Sequence, residues 1–298
     1  MRLGVFGLTP PAEVEADKAL EWAISKAAKL DVEIVGGDHR ATFRWGTYPS
    51  DRGYWRELKS MASERGLEIE PYVRSPFDVV GPGSAEARAA LVDCLQASKL
   101  LGGPVMRTAY GDQTVARTRF GPTPLSEHLK LLEANLREAA KIAESEDVVL
   151  AIENHTDFSG REWETVFSHV GSERIRCALD TANGLTIFSD PVEDAEALAR
   201  WSVTTHIKDL RVIENPRPTT GMSPMVPFGL IGCPIGEGDV DLVRIVRRLV
   251  TESTLRDRLP LIVEPSWPSG ATQSNLAEKR NSLLETNVRN LRKLVQEL

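Results

Sequence analysis

Four polar residues in the second half of the chain each end a short apolar run. They are Glu153 in LAIENH, Asp180 in CALDTAN, His206 in TTHIKD and Glu264 in LIVEPSW. Three carboxylates and an imidazole gathered without a cation would be costly to remove from water. A divalent ion removes that cost, and oxygen ligands with one nitrogen suit Mn²⁺ first, with Mg²⁺, Co²⁺ and Zn²⁺ also acceptable. The residue types therefore predict one metal site.

Each of these residues also has an ordinary structural interpretation. A single carboxylate at the end of a strand often caps a helix or pairs with a lysine or arginine. Four such residues in successive strands, each the first charged group after an apolar run, are hard to explain in that way. We therefore favour a shared metal site over four unrelated ion pairs.

The elements that would position these side chains alternate regularly along the chain. Eight short β-branched runs are each followed by a longer amphipathic segment, from the run at Leu3 to a last helix at about 276–298. Strands joined by single helices pair in parallel with right-handed crossovers. This pattern favours an α/β fold with a single (β/α)8 TIM-barrel domain over residues 1–298. An open doubly wound sheet is the alternative.

The predicted barrel places the four polar residues at one end. Active sites of such barrels lie at the carboxyl ends of the strands, and successive strands bring those ends together. An irregular stretch rich in Pro and Gly, at about 210–238, follows the seventh strand and predicts a long loop there. The first strand–helix junction lacks the G-x-G-x-x-G pattern, so nothing there indicates a dinucleotide site.

Composition narrows the classes of partner. The chain has 36 Lys and Arg against 43 Asp and Glu, a net charge of −7, which argues against a nucleic-acid partner. No apolar run approaches the roughly 18 residues of a membrane span, so no membrane partner is expected. The first 20 residues lack the pattern of a signal peptide, and three cysteines without C-x-x-C spacing favour a reducing, cytoplasmic location.

The order of the motifs IEN, LDTAN, HIKD and VEPSW, with PIGEGDVD at 234–241, resembles the xylose isomerase-like barrel superfamily. That superfamily includes sugar epimerases of the tagatose/psicose 3-epimerase type, inosose dehydratases and related sugar-acid enzymes. The resemblance implies the same four metal ligands and a catalytic acid/base pair, Glu153 and Glu264. Two features depart from it. Asn183 stands where the family often has His, and the loop after the seventh strand is long and apolar, which resembles the branch that includes oxo-sugar-acid decarboxylases as much as the simple epimerases.

The resemblance implies a divalent-metal-dependent sugar isomerase or epimerase that works through an enediolate on a ketose or related polyol. The first alternative is a metal-dependent lyase, a dehydratase or decarboxylase, acting on an oxo-sugar or sugar acid. An alternative of another class is a non-catalytic sugar-binding barrel. The abasic-site endonucleases that share this barrel need several zinc ions and DNA, which five histidines and the net charge disfavour. Relatives are commonly dimers or tetramers, so a homo-oligomer is compatible with the sequence.

Five further residues are candidates for contact with a carbohydrate substrate. Lys208 could stabilise an oxyanion or hold a carboxylate, and Arg107 would suit an anionic substrate, although each could instead form an ion pair. His155 lies two residues past Glu153, and Trp267 could form an apolar pocket wall. Asn183 takes the place of the family's histidine.

Overall fold

The chain folds into a β/α barrel. We describe it from a computed structural model, over residues 1–15, 18–36, 52–73, 85–109, 123–155, 158–214, 228–272 and 274–298. Eight parallel strands in this part of the chain alternate with eight α-helices, as the sequence pattern predicts.

The barrel strands are short, and all pairings between them are parallel. Two further strands, β8 (Asp209–Glu214) and β9 (Phe228–Cys233), lie outside the barrel, so that its eighth strand is β10 (Pro260–Val263). The barrel strands are β1 (Arg2–Val5), β2 (Ile34–Gly36), β3 (Glu68–Glu70), β4 (Val105–Ala109), β5 (Val149–Glu153), β6 (Ile175–Asp180), β7 (Ser202–His206) and β10 (Pro260–Val263).

The helices form the outer layer. They are α1 (Ala19–Ala27), α2 (Arg52–Ser63), α3 (Ala85–Leu101), α4 (Leu125–Glu146), α5 (Gly160–Val170), α6 (Pro191–Leu198), α7 (Leu242–Glu252) and α8 (Leu276–Gln296). In α4, Leu132, Leu136, Ala139 and Ala143 are buried at helical spacing and face the barrel. The main hydrophobic core therefore lies between the strands and the helices.

The barrel consists of two four-stranded halves. One half has the strand order β10-β1-β2-β3, and the other has the order β4-β5-β6-β7. Isolated parallel bridges join them, Tyr72 with Arg107 at one seam and Ile207 with Val263 at the other. Both seams are therefore narrow compared with the continuous pairing inside each half.

One extra residue in β7 sets the direction of its side chains. Cys177 pairs with Ser202, whereas Ala178 pairs with Thr204, so Val203 is a bulge that the sequence pattern did not predict. Beyond the bulge the register is regular, and Asp180 pairs with His206. The bulge thus brings His206 level with Asp180 at the carboxyl end of the barrel.

The prediction of an irregular stretch at about 210–238 is partly wrong. β8 (Asp209–Glu214) and β9 (Phe228–Cys233) form an antiparallel hairpin within it, and residues 215–227, including Met222 and Met225, lie outside the described residues. Gly232 lets the hairpin approach the segment after β10, because a Cβ atom there would lie 2.7 Å from the Cβ atom of Ser266. A glycine that the sequence pattern associates with irregular structure here allows close packing of two segments.

None of the helices in the described part of the chain has the length and apolar character that crossing a membrane requires.

Candidate metal centre

Four strand ends place the predicted ligands around one point. Glu153, Asp180 and His206 are the last residues of β5, β6 and β7, and Glu264 directly follows β10. One ligand atom from each residue lies within 4.8 Å of the others. The structure therefore brings together all four residues that the sequence singled out, and the cluster could hold a metal ion.

The imidazole of His206 lies at the centre of this cluster. Its Nδ1 atom is 3.4 Å from Glu153 Oε2, 3.5 Å from Glu264 Oε2 and 4.0 Å from Asp180 Oδ2. The Phe6 ring packs against the imidazole with 4.4 Å between centroids. Neither ring nitrogen has a hydrogen-bond partner among the residues described, although His206 is almost fully buried. A buried donor or acceptor without a partner lowers the stability of a protein, so a ligand bound to these nitrogens would be favourable.

The separations measured from His206 Nδ1 fit a single divalent ion. With bonds of about 2.1 Å, neighbouring ligands of an octahedral ion lie about 3.0 Å apart and opposite ligands about 4.2 Å apart. The three distances from His206 Nδ1 to the carboxylates fall in this interval. Three carboxylate oxygens and one imidazole nitrogen suit Mn²⁺, Mg²⁺ or Co²⁺, and Zn²⁺ is compatible.

In two of the carboxylates, one oxygen accepts hydrogen bonds from the protein and the other lies near His206 Nδ1 at the centre of the cluster. Asp180 Oδ1 accepts hydrogen bonds from the backbone N–H groups of Ala182 (2.8 Å) and Asn183 (2.9 Å). Glu153 Oε1 accepts one from the Asn183 side chain (3.1 Å). The side chain of Asn154 in turn holds the Asp180 backbone. Its Oδ1 accepts from the Asp180 N–H at 2.6 Å, and its Nδ2 donates to the Asp180 carbonyl at 3.1 Å. These contacts orient the ligand oxygens before any ion binds.

The ammonium group of Lys208 bridges two of the proposed ligands. Its Nζ lies 2.8 Å from Asp180 Oδ2 and 2.9 Å from Glu264 Oε2, and the side chain is only 12% exposed. Of the two interpretations that the sequence leaves open, this geometry favours the ion pair. A role in contacting substrate stays a prediction.

Arg107 lies below the cluster and has no exposed surface. Its Nε donates to Glu70 Oε1 at 2.7 Å, and its Nη2 donates to Thr204 Oγ1 at 3.1 Å and to the Thr205 carbonyl at 2.7 Å. This burial favours the salt bridge within the barrel over the contact with an anionic substrate, which also stays a prediction.

The remaining three candidates lie around the ligands. Asn183 is buried and holds Glu153, so its observed contact is with a ligand. His155 is half-buried, and its backbone N–H donates to the Glu153 carbonyl. Trp267 is 54% exposed three residues after Glu264, and its carbonyl accepts from the Gly232 N–H of the hairpin. Their contacts with substrate remain predictions.

The charges of the cluster shift the pKa values of its members. Burial opposes ionisation of Glu153, yet its interactions with His206 and Arg107 hold its pKa well below the usual range. Burial likewise opposes ionisation of Glu264, and Lys208 and His206 lower its pKa to about 2. Burial raises the pKa of Asp180, since its other carboxylate neighbours add to the effect and Lys208 does not outweigh them. The lowered pKa values of Glu153 and Glu264 favour their ionised forms, which can bind a cation.

Sequence reasoning missed two buried polar residues beneath the cluster, Glu70 and Thr204. Glu70 Oε2 accepts a short hydrogen bond from the Thr204 hydroxyl, and Glu70 is 7% exposed. The sequence signal was weak, because Glu68 precedes Glu70 in the same strand, so Glu70 is not the first charged residue after an apolar run.

Replacing Lys208 by methionine should destabilise the metal-free protein. Asp180 and Glu264 would lose their buried cation, a change that costs about 3 kcal/mol of unfolding free energy. Urea unfolding in the presence of a chelator measures this, and Mn²⁺ should recover part of the loss by balancing the same carboxylates. Lys141→Met removes an exposed ion pair with Glu138 and should leave the stability unchanged. Wild-type stability of Lys208→Met without metal would contradict the bridging role.

Comparison with known proteins agrees with the fold. The family model for the xylose isomerase-like TIM barrel matches residues 24–294. The chain therefore belongs to the xylose isomerase-like TIM barrel family. A search of the curated proteins found no match.

Solved structures share the architecture at low sequence identity. D-psicose 3-epimerase from Clostridium cellulolyticum H10, determined with D-tagatose, has a TM-score of 0.70 and 15% identity, with 99% of both chains covered. A xylose isomerase-like barrel protein from Mycobacterium smegmatis in complex with magnesium has a TM-score of 0.62 and 16% identity, with 97% of both chains covered. A probable 3-DHS dehydratase from Bacillus anthracis has a TM-score of 0.65 and 12% identity, with 98% of this chain and 99% of that chain covered. At these identities the likeness shows the fold alone.

Proposed function

We propose that this protein is a divalent-metal-dependent sugar isomerase or epimerase that acts on a ketose or related polyol. One observation carries the proposal: three carboxylate oxygens, from Glu153, Asp180 and Glu264, surround the buried Nδ1 atom of His206, which has no hydrogen-bond partner among the described residues. The epimerase among the similar folds supports the choice of reaction class.

Glu153, Asp180, His206 and Glu264 would hold the ion. When bound there, the ion supplies Lewis-acid stabilisation of the negative charge that develops on a sugar oxygen as the neighbouring C–H group loses its proton. Mn²⁺ is the first ion to test, since the donor set is rich in oxygen.

The buried, free thiols of Cys94, Cys177 and Cys233 are consistent with a reducing compartment, and we propose the cytoplasm.

Glu153 and Glu264 would move the proton. They approach His206 Nδ1 from different strands, at 3.4 and 3.5 Å, with β6 and β7 between them around the barrel. A carboxylate on each side of a sugar carbon can remove a proton from one face and return one to the other. Their exposure differs: the side chain of Glu264 is 19% exposed and that of Glu153 only 5%. Glu264 is therefore the more accessible of the two from the barrel mouth.

The charges of the described residues around the site favour a neutral sugar over a sugar acid. Within the described residues, the two cations that the sequence offers to a substrate carboxylate, Lys208 and Arg107, already bind carboxylates of the protein. To bind a substrate, Lys208 would have to give up its contacts of 2.8 and 2.9 Å with Asp180 and Glu264, and Arg107 has no exposed surface. A dehydratase or decarboxylase of sugar acids would need such a cation for its substrate, so we place it second.

Hydrogen exchange with solvent tests the proposal. In D₂O with Mn²⁺, a neutral ketose should acquire deuterium at the carbon next to its carbonyl, because proton removal precedes epimerisation and isomerisation alike. Nuclear magnetic resonance follows the exchange across ketoses, inososes and oxo-sugar acids. The exposed Glu138→Gln variant is the matched control and should exchange like the wild type, whereas Glu264→Gln should not exchange.

Three outcomes would count against this assignment. Exchange or product formation confined to sugar acids would favour the lyase. Exchange confined to inososes would indicate a cyclic substrate in place of a ketose. Sugar binding with metal present but no exchange in any substrate would favour a non-catalytic sugar-binding barrel.

A further inference from the structure

A buried polar layer lies directly beneath the proposed metal ligands. Glu70 of β3, Arg107 of β4 and Thr204 of β7 meet inside the barrel, joined by the Arg107–Glu70 and Arg107–Thr204 hydrogen bonds of 2.7 and 3.1 Å. The Thr204 hydroxyl also donates to Glu70. Every side chain in this layer is more than nine-tenths buried. The layer therefore has a fixed arrangement with a charge pair at its centre.

Arg107 connects this layer to the metal centre. Its Nη1 atom lies 3.7 Å from Glu153 Oε2, and no residue in the described ranges accepts a hydrogen bond from it. The other two guanidinium nitrogens are directed at Glu70, Thr204 and Thr205. A full positive charge thus lies next to an oxygen that would bind a cation.

The charges balance only when Glu70 is included. Glu153, Asp180 and Glu264 carry three negative charges, which a divalent ion and the bridging Lys208 neutralise together. The charge on Arg107 would be in excess, and in a buried site an unbalanced cation next to a metal ion is strongly unfavourable. Glu70 accepts from Arg107 at 2.7 Å and supplies the missing negative charge.

We propose that Glu70 is a positioning residue that sets the affinity of the metal centre from below, by neutralising Arg107 beside the ligand Glu153. The inference rests on the proposed function only through its metal site and not through the sugar chemistry. Glu70 contacts neither the ion nor the substrate and acts through Arg107.

Calorimetric titration with Mn²⁺ of the full-length protein tests the proposal. Glu70→Gln keeps the size of the side chain but leaves Arg107 unbalanced, and should weaken Mn²⁺ binding by about 10- to 100-fold. The double variant Glu70→Gln/Arg107→Met removes both charges and should bind Mn²⁺ within about threefold of the wild type. A change that only loosened the packing would not be reversed by a second substitution in the same layer.

The chain offers a matched control on the same strand. Glu68 lies two residues before Glu70 and forms a 2.9 Å ion pair with Arg2, but it is exposed. Glu68→Gln makes the same chemical change away from the metal centre and should leave Mn²⁺ affinity unchanged. Circular dichroism and the thermal unfolding midpoint check that each variant is folded.

Each remaining outcome decides the matter. Wild-type affinity in Glu70→Gln, or a double variant as weak as Glu70→Gln, would overturn the inference while leaving the proposed function intact. A wild-type protein that does not bind Mn²⁺, Mg²⁺, Co²⁺ or Zn²⁺ would overturn both. The expected affinities without hydrogen exchange in any sugar would uphold the inference and reject only the sugar chemistry.

Discussion

Glu264→Gln is expected to lower sugar turnover by about 10³-fold, because one side chain would supply both a ligand charge and a proton carrier. The fold should survive, since Glu264 lies beyond the last residue of β10 and its side chain is partly exposed at the barrel mouth. Lys208 keeps its contact with Asp180 in this variant. Steady-state kinetics at saturating Mn²⁺, together with the thermal unfolding midpoint, separate lost chemistry from lost structure.

The matched control for this variant is Glu138→Gln. Glu138 lies on α4 and pairs with Lys141 at the surface. It should retain full activity. Wild-type turnover in Glu264→Gln would remove Glu264 from the proposed chemistry, whatever the control shows.

Removal of divalent metal is the second change expected to have a very large effect. The stabilisation that a bound ion gives to a developing negative charge amounts to several kcal/mol, so turnover should fall at least about 100-fold. Dialysis against EDTA, with elemental analysis to verify the loss of metal, measures this. Added Mn²⁺ or Co²⁺ should restore activity and raise the unfolding midpoint, because the ion would bind only the folded site.

Asp180→Asn provides the comparison for the metal experiment. It removes one ligand charge, so added Mn²⁺ should restore little activity in this variant. Undiminished turnover by the wild-type protein after verified removal of metal would reject a metal-dependent mechanism.

The sequence predicts the barrel and the four strand ends for a common physical reason. Strands of a parallel barrel are buried on both faces, so they read as continuous apolar runs, and a charged residue that ends such a run stands out. Glu153 and Asp180 are found in this way, each two residues after an alanine that the structure shows fully buried. Local patterns of this kind need no knowledge of distant contacts.

The contacts that decide the role of each cation could not be predicted in the same way. Lys208 meets Glu264 across 56 residues of sequence, and Arg107 meets Glu70 across 37. The sequence shows that each cation lies near a strand end but does not show which group it contacts. A contact with substrate and an ion pair within the protein therefore cannot be distinguished from the sequence. The Val203 bulge was missed for a related reason, since one extra residue in β7 is apparent only against the register of β6.

The two narrow seams of the barrel have a mechanical consequence. Glu153, Asp180 and His206 belong to the β4–β7 half, whereas Glu264 follows β10 in the other half. Lys208 with Glu264 and Arg107 with Glu70 also join one half to the other. A bound ion would therefore link the two half-barrels through its ligands. Metal binding and stabilisation of the closed barrel would then be coupled.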